Sequence, residues 1–328
     1  MRWPHAPRVE LLAEPTPLMR LHRFTRAVAP EGPIIWMKRD DLTPLVMGGN
    51  KVRKLEFLLA EALAQGCDTV ITLGAWQSNH ACQTAAAARK LGLRAVLLLR
   101  GDPQAPRVGN LLLDTLLGAE IRLNPHPPRD WGERVKAELE AEGRRVYLIP
   151  YGGSNATGAL GYAAAGVELA QQLAAHGIEP AEIVITSSSG GTQAGLLLAQ
   201  AAGFFSAPIL GVSVDERTPE LTDKVISIAR AAAVRYGLRT PAVEAVRVTD
   251  AYVGPGYARL TPGARYAIHL LAQTEGILTD PVYTGKALAG LVDMARSGRW
   301  KPGEHVVFWH TGGLPALFAY DVTDTNQA

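Results

Sequence analysis

Strongly apolar runs, each about as long as a buried strand, alternate with helical stretches along the 328-residue chain. The runs are continuously apolar rather than alternating in polarity, which suits strands covered on both faces, as in parallel sheets flanked by helices. They are CDTVITLG (67–74), LRAVLLLRG (93–101), RRVYLIPYGG (144–153), AEIVITSSSGG (181–191), PILGVSVDE (208–216) and HVVFWHTGG (305–313). The sequence therefore predicts an α/β fold.

The size and charge of the chain limit its organisation and its partners. At 328 residues it exceeds the size at which a single core keeps growing, so we expect two domains. The 33 basic and 31 acidic residues nearly cancel, which gives no reason to expect nucleic acid or a membrane surface as a partner. Only Cys67 and Cys82 are cysteines, and no run approaches the ~18–20 apolar residues of a membrane span. We expect a cytoplasmic protein.

The segment GGNKVRKLEFLL (48–59) opens a predicted amphipathic helix with three cations, Lys51, Arg53 and Lys54, in its first turn. The helix dipole disfavours each exposed cation there by about 0.3–1 kcal/mol. Asn50 is placed to cap the helix. The cations either form a solvated basic end, or they face a bound anion, or a lysine among them is uncharged. A phosphate would satisfy the second condition and an imine the third, and pyridoxal phosphate supplies both.

Three glycine-rich turns each follow a predicted strand and lead into a helix, where open α/β sheets bind their ligands. They are GAWQSNHAC (74–82), TSSSGGTQAG (186–195) and HTGGLPALF (310–318). In the second turn, backbone N–H groups and the hydroxyls of Ser189 and Thr192 could hold a phosphate, although a simple turn with a helix cap explains the residues equally well. The turn is not a P-loop, because no Lys follows its glycines, and its glycine spacing does not match the dinucleotide fingerprint.

Polar residues also mark the start of the helix predicted from about residue 78. Either Ser78 or Asn79 is expected to cap it, and the same helix N-terminus suits a substrate carboxylate. His80 and Cys82 have no further ligands clustered near them in the sequence, so no metal site is expected.

These segments together resemble the D-cysteine desulfhydrase and 1-aminocyclopropane-1-carboxylate deaminase family, which is part of the tryptophan-synthase-β-like pyridoxal phosphate enzymes of fold type II. The similar segments follow one another in order over nearly the whole chain. They are MKRDDLTPLVMGGNKVRKLEFLLAEALAQGCDTVITLGAWQSNHACQTAA (37–86), YGGSNATGALGY (151–162), SSSGGTQAG (187–195), TEGILTDPVYTGKALAGL (274–291) and HTGGLPALF (310–318). The resemblance implies a homodimer whose subunit has two three-layer α/β domains with mainly parallel twisted sheets. Residues 1–53 plus 159–328 would form the large, cofactor-binding domain and residues 54–158 the small one.

The resemblance also implies roles for individual residues around a pyridoxal phosphate cofactor. Lys51 would carry the cofactor as an imine, Asn79 would bond its ring hydroxyl, and Tyr283 would lie against its ring. Tyr257 would be the second active-site tyrosine. Lys54 would add positive charge, and Asn50 and Thr311 would lie at the cofactor. Ser78, with the backbone around Asn79 and His80, would bind the substrate carboxylate. The residues implied to bind the phosphate are Ser189, Gly190, Gly191 and Thr192.

The predicted substrate depends on two threonines. The cyclopropane deaminases have Glu directly after the second tyrosine and Leu near the chain end, where this chain has Thr284 and Thr311. Neutral hydroxyls near the pyridine nitrogen would support a weaker electron sink, adequate for β-elimination of a good leaving group. Lys51, with its pKa lowered by burial and neighbouring cations, would take the Cα proton. Tyr283 or Tyr257 would assist the leaving group.

The expected substrate is D-cysteine, which would give pyruvate, hydrogen sulfide and ammonia. L-Cysteate, which would release sulfite, is the nearest alternative, followed by 1-aminocyclopropane-1-carboxylate. A non-catalytic pyridoxal phosphate carrier or phosphate-binding protein would share Lys51 and the phosphate loop, but it would not need Ser78, Tyr257 and Tyr283 together.

Overall fold

Two β-sheets organise the computed structural model, which describes residues 3–323. Across the first sheet lie, in order, β1 (Leu18–Arg20), β2 (Ile34–Arg39), β10 (His305–His310), β7 (Pro180–Ser187), β8 (Ile209–Ser213) and β9 (Arg247–Thr249). Across the second lie β5 (Glu120–Asn124), β4 (Arg94–Arg100), β3 (Thr69–Ala75) and β6 (Val146–Ile149). Neighbouring strands are parallel except for the β1–β2 pair. Each of the apolar runs overlaps one of these strands, and the predicted α/β fold is confirmed.

Helices cover the sheets and fill the connections between strands. They are α1 (His22–Val28), α2 (Lys51–Ala64), α3 (Asn79–Lys90), α4 (Gly109–Leu116), α5 (Trp131–Ala141), α6 (Ala156–His176), α7 (Gly191–Ala201), α8 (Thr218–Tyr236), α9 (Pro262–Glu275), α10 (Thr284–Arg296) and α11 (Leu314–Leu317). Single 3-10 turns lie at Asp40–Leu42, Tyr151–Gly153 and Val243–Ala245. Within residues 3–323, no helix is long and apolar enough to cross a bilayer.

Strand β10 shows why the predicted runs are apolar on both faces. Val307 and Trp309 pack into a core shared with α6, α7 and α8, whereas Val306 and Phe308 pack into a second core with α1, α9 and α10. The sheet thus has a helix layer on each side. The four-stranded sheet has the same three-layer arrangement, because α2 and α3 cover one face and α5 covers the other.

Several strands are absent from the prediction, and most of them lie at sheet edges. β1, β9 and β5 are edge strands, and every residue of β5 is half-buried. An edge strand needs fewer apolar residues, so its sequence carries a weaker signal. The interior strand β2 ends in Lys38 and Arg39, whose charges shorten its apolar run.

The division into two domains stays a prediction. We propose the boundaries at 53/54 and 158/159 because each strand of the four-stranded sheet lies between them and each strand of the six-stranded sheet lies outside them.

Arg53, in the first turn of α2, belongs to a buried network of charged side chains. Its guanidinium donates to both carboxylate oxygens of Asp40, at 2.8 and 2.9 Å, and to both of Glu168, at 2.8 and 2.9 Å. Lys38 pairs with Glu168 as the second cation. Tyr162 and Trp309 also donate to Asp40. The sequence assigned Arg53 no role of its own, and the structure pairs it with two acids.

This pairing decides the charge of Asp40. Burial alone would raise the pKa of the Asp40 carboxyl, but the Arg53 guanidinium and the Lys38 ammonium hold it well below its usual range. Two cations therefore face two carboxylates, and removing one member would leave a buried charge without compensation.

We predict that Arg53→Ala lowers the free energy of unfolding by about 3–5 kcal/mol, since Asp40 would lose its main partner in a dry site. Urea unfolding followed by circular dichroism measures the change. Arg134→Ala is the matched control, because Arg134 forms an exposed ion pair with Asp130 at 2.7 Å, and it should cost at most about 1 kcal/mol. Equal losses in the two variants would contradict the account.

Candidate active site

A cavity of about 480 Å³ lies at the carboxyl ends of strands from both sheets. Gly74 and Ala75 of β3 line it together with Thr186 and Ser187 of β7. This is the place where an α/β sheet binds its ligand. The predicted site residues that line the cavity are Asn50, Lys51, Ser78, Asn79, His80, Ser189, Gly190, Thr192, Tyr257, Tyr283 and Thr311.

Lys51 is the first residue of α2, and its side chain reaches the cavity. Burial lowers the pKa of the Lys51 amine to about 8. The expectation that neighbouring cations lower this pKa was wrong, because the hydrogen bond to Lys54 acts in the opposite direction. Burial, followed by the charge of Lys51, lowers the pKa of Lys54 well below its usual value.

Lys54 is fully buried and does not line the cavity, but it connects to the predicted phosphate loop. Its Nζ donates to Gly152 O at 3.1 Å and to Ser154 Oγ at 3.0 Å. Ser154 Oγ in turn accepts from Gly191 N at 3.2 Å and lies 2.7 Å from Ser189 Oγ. Ser154 is not among the predicted site residues, although it lies within the segment YGGSNATGALGY that carries the family resemblance.

Asn50 occupies the N-cap position of α2, yet the prediction that its side chain caps the helix was wrong. Its backbone is already helical, and its Nδ2 donates to Thr192 Oγ1 at 3.0 Å. Gln83 of α3 accepts a hydrogen bond from the first turn instead, because Val52 N donates to its Oε1 at 3.0 Å. Asn50 thus joins the start of α2 to the start of α7.

The turn after β10 closes this side of the cavity by a close backbone approach. Gly49 and Gly312 form an antiparallel bridge, and Asn50 N donates to Thr311 O at 2.9 Å. Gly312 has φ +82°, and a Cβ on it would lie 2.4 Å from the Cα of Gly49. Glycine at this position lets the Thr311 turn approach the residue before Lys51.

Ser78 is the N-cap of α3, which agrees with the prediction that either Ser78 or Asn79 caps this helix. Its Oγ accepts from Ala81 N at 3.2 Å, which leaves the hydroxyl proton free to face the cavity. Asn79 is the first helical residue, and its Oδ1 accepts from Asn110 Nδ2 at 2.7 Å. The helix N-terminus therefore presents a hydroxyl, an amide and backbone N–H groups to one region of the cavity.

His80 lines the cavity as well, and its side chain is buried, whereas the sequence assigned a role only to the backbone around it. Thr72 Oγ1 donates to Ile149 O at 3.0 Å, so it must accept from His80 Nε2 at 2.8 Å. His80 Nδ1 is then a buried acceptor without a partner in the described structure. Burial, together with Lys51 and Lys54, lowers the pKa of His80 well below its usual value, so the ring is neutral.

Tyr257 and Tyr283 both line the cavity and contact each other. Their hydroxyls are hydrogen-bonded to each other, and their rings pack edge to face with centroids 5.9 Å apart. Burial raises the pKa of Tyr257 to about 12 and raises that of Tyr283 well above its usual value. Both hydroxyls keep their protons at neutral pH. Lys286 holds the loop of Tyr257 by donating to Val253 O and Gly256 O, at 2.7 and 2.8 Å.

The two threonines of the substrate argument lie in different places. Thr311 lines the cavity, whereas Thr284 is fully buried and does not. The Thr284 hydroxyl donates to Asp280 Oδ1 at 2.5 Å, and Asp280 also accepts from the backbone N–H groups of Val282 and Tyr283. The Thr284 hydroxyl therefore stabilises the turn that carries Tyr283.

Charged residues absent from the prediction also line the cavity. Arg100 lies at the end of β4, and Lys224 pairs with Glu216 at 2.6 Å. Asp215 Oδ2 accepts from Ser188 Oγ at 2.6 Å. Asp215 and Glu216 directly follow the predicted strand in PILGVSVDE, so strand-end position was an available signal for them. Residues 3–323 contain no group of three or more His, Cys, Asp or Glu side chains arranged to hold a metal ion.

The donor set of the cavity fits a phosphorylated aldehyde such as pyridoxal phosphate. The first turn of α7, with Ser189 and Thr192, offers hydroxyls and backbone N–H groups to an anion. Lys51 offers a primary amine that becomes largely uncharged above pH about 8. Asn79 and the protonated Tyr283 are suited to a polar aromatic ring between them.

Comparison with known proteins gives one consistent result. A family model for pyridoxal-phosphate dependent enzymes matches residues 9–312. D-cysteine desulfhydrase of Klebsiella pneumoniae (strain 342) is 44% identical over 324 residues, which cover 96% of this chain and 96% of that protein. D-cysteine desulfhydrase of Serratia proteamaculans (strain 568) is 42% identical over 321 residues, with the same coverage of both chains.

Solved structures show the same architecture. A crystal structure of an ACC deaminase homologue has a TM-score of 0.87 and 40% identity, and the match covers 96% of this chain and 94% of that one. A threonine deaminase from T.th. has a TM-score of 0.65 at 22% identity, and the match covers 91% of this chain and 92% of that one. At this identity the similarity supports only the fold. The chain belongs to the family of pyridoxal-phosphate dependent enzymes and has their fold type II architecture.

Proposed function

We propose that this enzyme catalyses β-elimination from D-cysteine, which consumes one water molecule and releases pyruvate, hydrogen sulfide and ammonia. The observation that carries the proposal is the convergence of the Lys51 amine and the N-termini of α3 and α7 on one cavity. The names of the relatives at 42–44% identity over 96% of the chain support the choice of D-cysteine.

In this proposal, Lys51 binds the cofactor covalently, and Ser189, Gly190, Gly191 and Thr192 bind its phosphate. Lys54 acts on the phosphate loop through Ser154, while Asn50 aligns the loop through Thr192. Asn79, Tyr283 and Thr311 contact the ring. When bound, pyridoxal phosphate supplies an electron sink that makes the Cα–H bond of an amino acid acidic and lets a group on Cβ depart.

The protein's own groups would orient the amino acid and move its protons. The Ser78 hydroxyl and the backbone N–H groups at Asn79 and His80 would hold the carboxylate, which is favoured at a helix N-terminus. Lys51 Nζ would take the Cα proton, because its pKa of about 8 keeps it close to the neutral form needed in a base. Tyr257 and Tyr283 keep their protons and would donate one to the leaving sulfur.

The position of Thr311 favours β-elimination over opening of a cyclopropane ring. Thr311 lines the cavity with a neutral hydroxyl, so we assign to it the side of the pyridine nitrogen. The Thr284 hydroxyl is engaged with Asp280 and is a poor candidate for that role. A neutral neighbour does not stabilise a protonated ring nitrogen as a carboxylate would, and a thiol leaving group does not require the stronger sink.

A substrate panel tests the proposal. D-Cysteine is expected to give the fastest pyruvate release, ahead of L-cysteate, L-cysteine and 3-chloro-D-alanine, and 1-aminocyclopropane-1-carboxylate is expected to give no 2-oxobutyrate. Hydrogen sulfide is measured in parallel. Lys51→Ala should lower each activity at least about 10²-fold, because it removes the proposed base.

Two other results of the panel would redirect the proposal. Faster sulfite release from L-cysteate would replace the substrate, and strong turnover of the cyclopropane amino acid would overturn the argument from Thr311. A cofactor-loaded protein that acts on none of these compounds would favour the carrier or regulatory binding protein.

The pKa of Lys51 predicts how cofactor capture depends on pH. Below pH about 8 the amine is mostly charged and unreactive, and above it the neutral nucleophile predominates. The rate at which the apoprotein captures pyridoxal phosphate should therefore rise with pH around a midpoint near 8, whereas an ordinary lysine would titrate near about 10.4. Stopped-flow absorbance measures the rate. Lys51→Arg is the control, since it keeps a cation but lacks the amine, and a midpoint near about 10 would contradict the assignment.

We also propose that the enzyme works as a homodimer in the cytoplasm and binds no nucleic acid. The family resemblance supports the dimer, and the near balance of acidic and basic residues supports the absence of a nucleic-acid partner. Light scattering on the purified protein gives the mass directly.

A further inference from the structure

Asn110 is a buried polar residue outside the cavity that contacts a cavity residue. It lies in the first turn of α4 and is only 1% exposed. Its Nδ2 donates to Asn79 Oδ1 at 2.7 Å and to Gln77 O at 3.0 Å. Neither the sequence patterns nor the proposed reaction assigns a role to Asn110.

These contacts determine which way both amides face. Gln77 O is a backbone carbonyl and can only accept, so the Asn110 atom beside it must be the NH2 group. The same NH2 group faces Asn79, so the Asn79 atom that it contacts must be the acceptor, Oδ1. Asn79 is therefore held with its own NH2 group pointing away from Asn110. A Cβ on Gly313 would lie 3.0 Å from that Nδ2, so the NH2 group points toward the turn after β10.

The backbone around Asn110 keeps its side chain in place. Asn110 N donates to Gln77 Oε1 at 2.8 Å, and Gln77 Nε2 donates to Val108 O at 2.9 Å. Gly109 has φ +57°, and a Cβ there would lie 2.4 Å from Gln77 Oε1 and 2.8 Å from Pro315 O. Asn110 is thus fixed against the loop before α3, and the preceding Gly109 lies close to Pro315 in α11.

We propose that Asn110 is a positioning residue that holds the Asn79 amide with its NH2 group toward the ring oxygen of the cofactor. The proposal rests on the proposed function, in which Asn79 contacts that oxygen. An ionised ring hydroxyl accepts hydrogen bonds, so it requires a donor. If Asn79 were turned over, its Oδ1 would face the ring oxygen and two acceptors would meet.

The test measures the apparent Kd of the full-length apoprotein for pyridoxal phosphate and for 3-deoxypyridoxal 5′-phosphate, which lacks the ring hydroxyl. Asn110→Leu should raise the apparent Kd for pyridoxal phosphate about 10-fold, as expected for the loss of a hydrogen bond to a charged group. The apparent Kd for the deoxy analogue should stay nearly unchanged. Asn79→Ala should discriminate between the two ligands in the same way. Adding Asn110→Leu to Asn79→Ala should cause no further loss, because Asn110 acts through Asn79.

Leu111→Ala is the control for a purely structural effect. Leu111 is fully buried beside Asn110 on α4, so its truncation should lower the melting temperature without changing the preference between the two ligands. Asn110→Ser, which keeps a hydrogen-bond donor, replaces the leucine variant if that variant does not fold. It should raise the apparent Kd for pyridoxal phosphate by a smaller factor and leave that for the deoxy analogue nearly unchanged.

The outcomes separate this inference from the function on which it rests. Equal weakening of both ligands by Asn110→Leu, or further loss in the Asn79→Ala background, would overturn the positioning role alone. If Asn79→Ala fails to discriminate between the ligands, the assignment of Asn79 in the proposed function fails, and this inference fails with it.

Discussion

The ion pairs between Arg53 and the carboxylates of Asp40 and Glu168 hold the first turn of α2 in place, and the candidate active site depends on that turn. Asp40 follows β2, Glu168 lies on α6, and Arg53 lies two residues after Lys51. The network therefore connects the six-stranded sheet to the helix that carries Lys51. Since the charges are buried and balanced, any shift of α2 would separate them in a medium that screens poorly.

The three cations that crowd this turn each have a separate role. Arg53 is paired with acids away from the cavity, Lys51 reaches the cavity with a pKa of about 8, and Lys54 bonds to Ser154 next to the proposed phosphate loop. None of the three is a simple exposed charge. The unfavourable helix dipole at this position is consistent with lowered lysine pKa values, since both effects disfavour the ammonium form.

The sequence predicted the parts of the molecule that local patterns determine. Interior strands such as β7 and β10 have long apolar runs because helices cover both of their faces. Lys51 directly follows a recognisable glycine-rich segment, and Ser189 lies within another one. Edge strands such as β5 were missed because their faces are partly solvated. The capping role of Asn50 was wrong because a tertiary contact with Thr192 competes with the cap.

Residues that act from a distance gave no signal of this kind. Gln83, Asn110 and Ser154 reach the site from elements far away in sequence, and amides and hydroxyls of the same types are common on protein surfaces. Their importance comes from burial and from partners that only the folded chain brings together. The same reason explains Arg53, whose acids lie 13 and 115 residues away along the chain.

The central claim is that Lys51, and not the adjacent Lys54, binds the cofactor. Reduction of the cofactor-loaded protein with borohydride, followed by digestion and mass spectrometry, would fix the cofactor to the lysine that holds it. The account predicts a pyridoxyl phosphate group on Lys51 alone, with Lys54 unmodified. Modification of Lys54, or of a lysine outside the cavity, would contradict it.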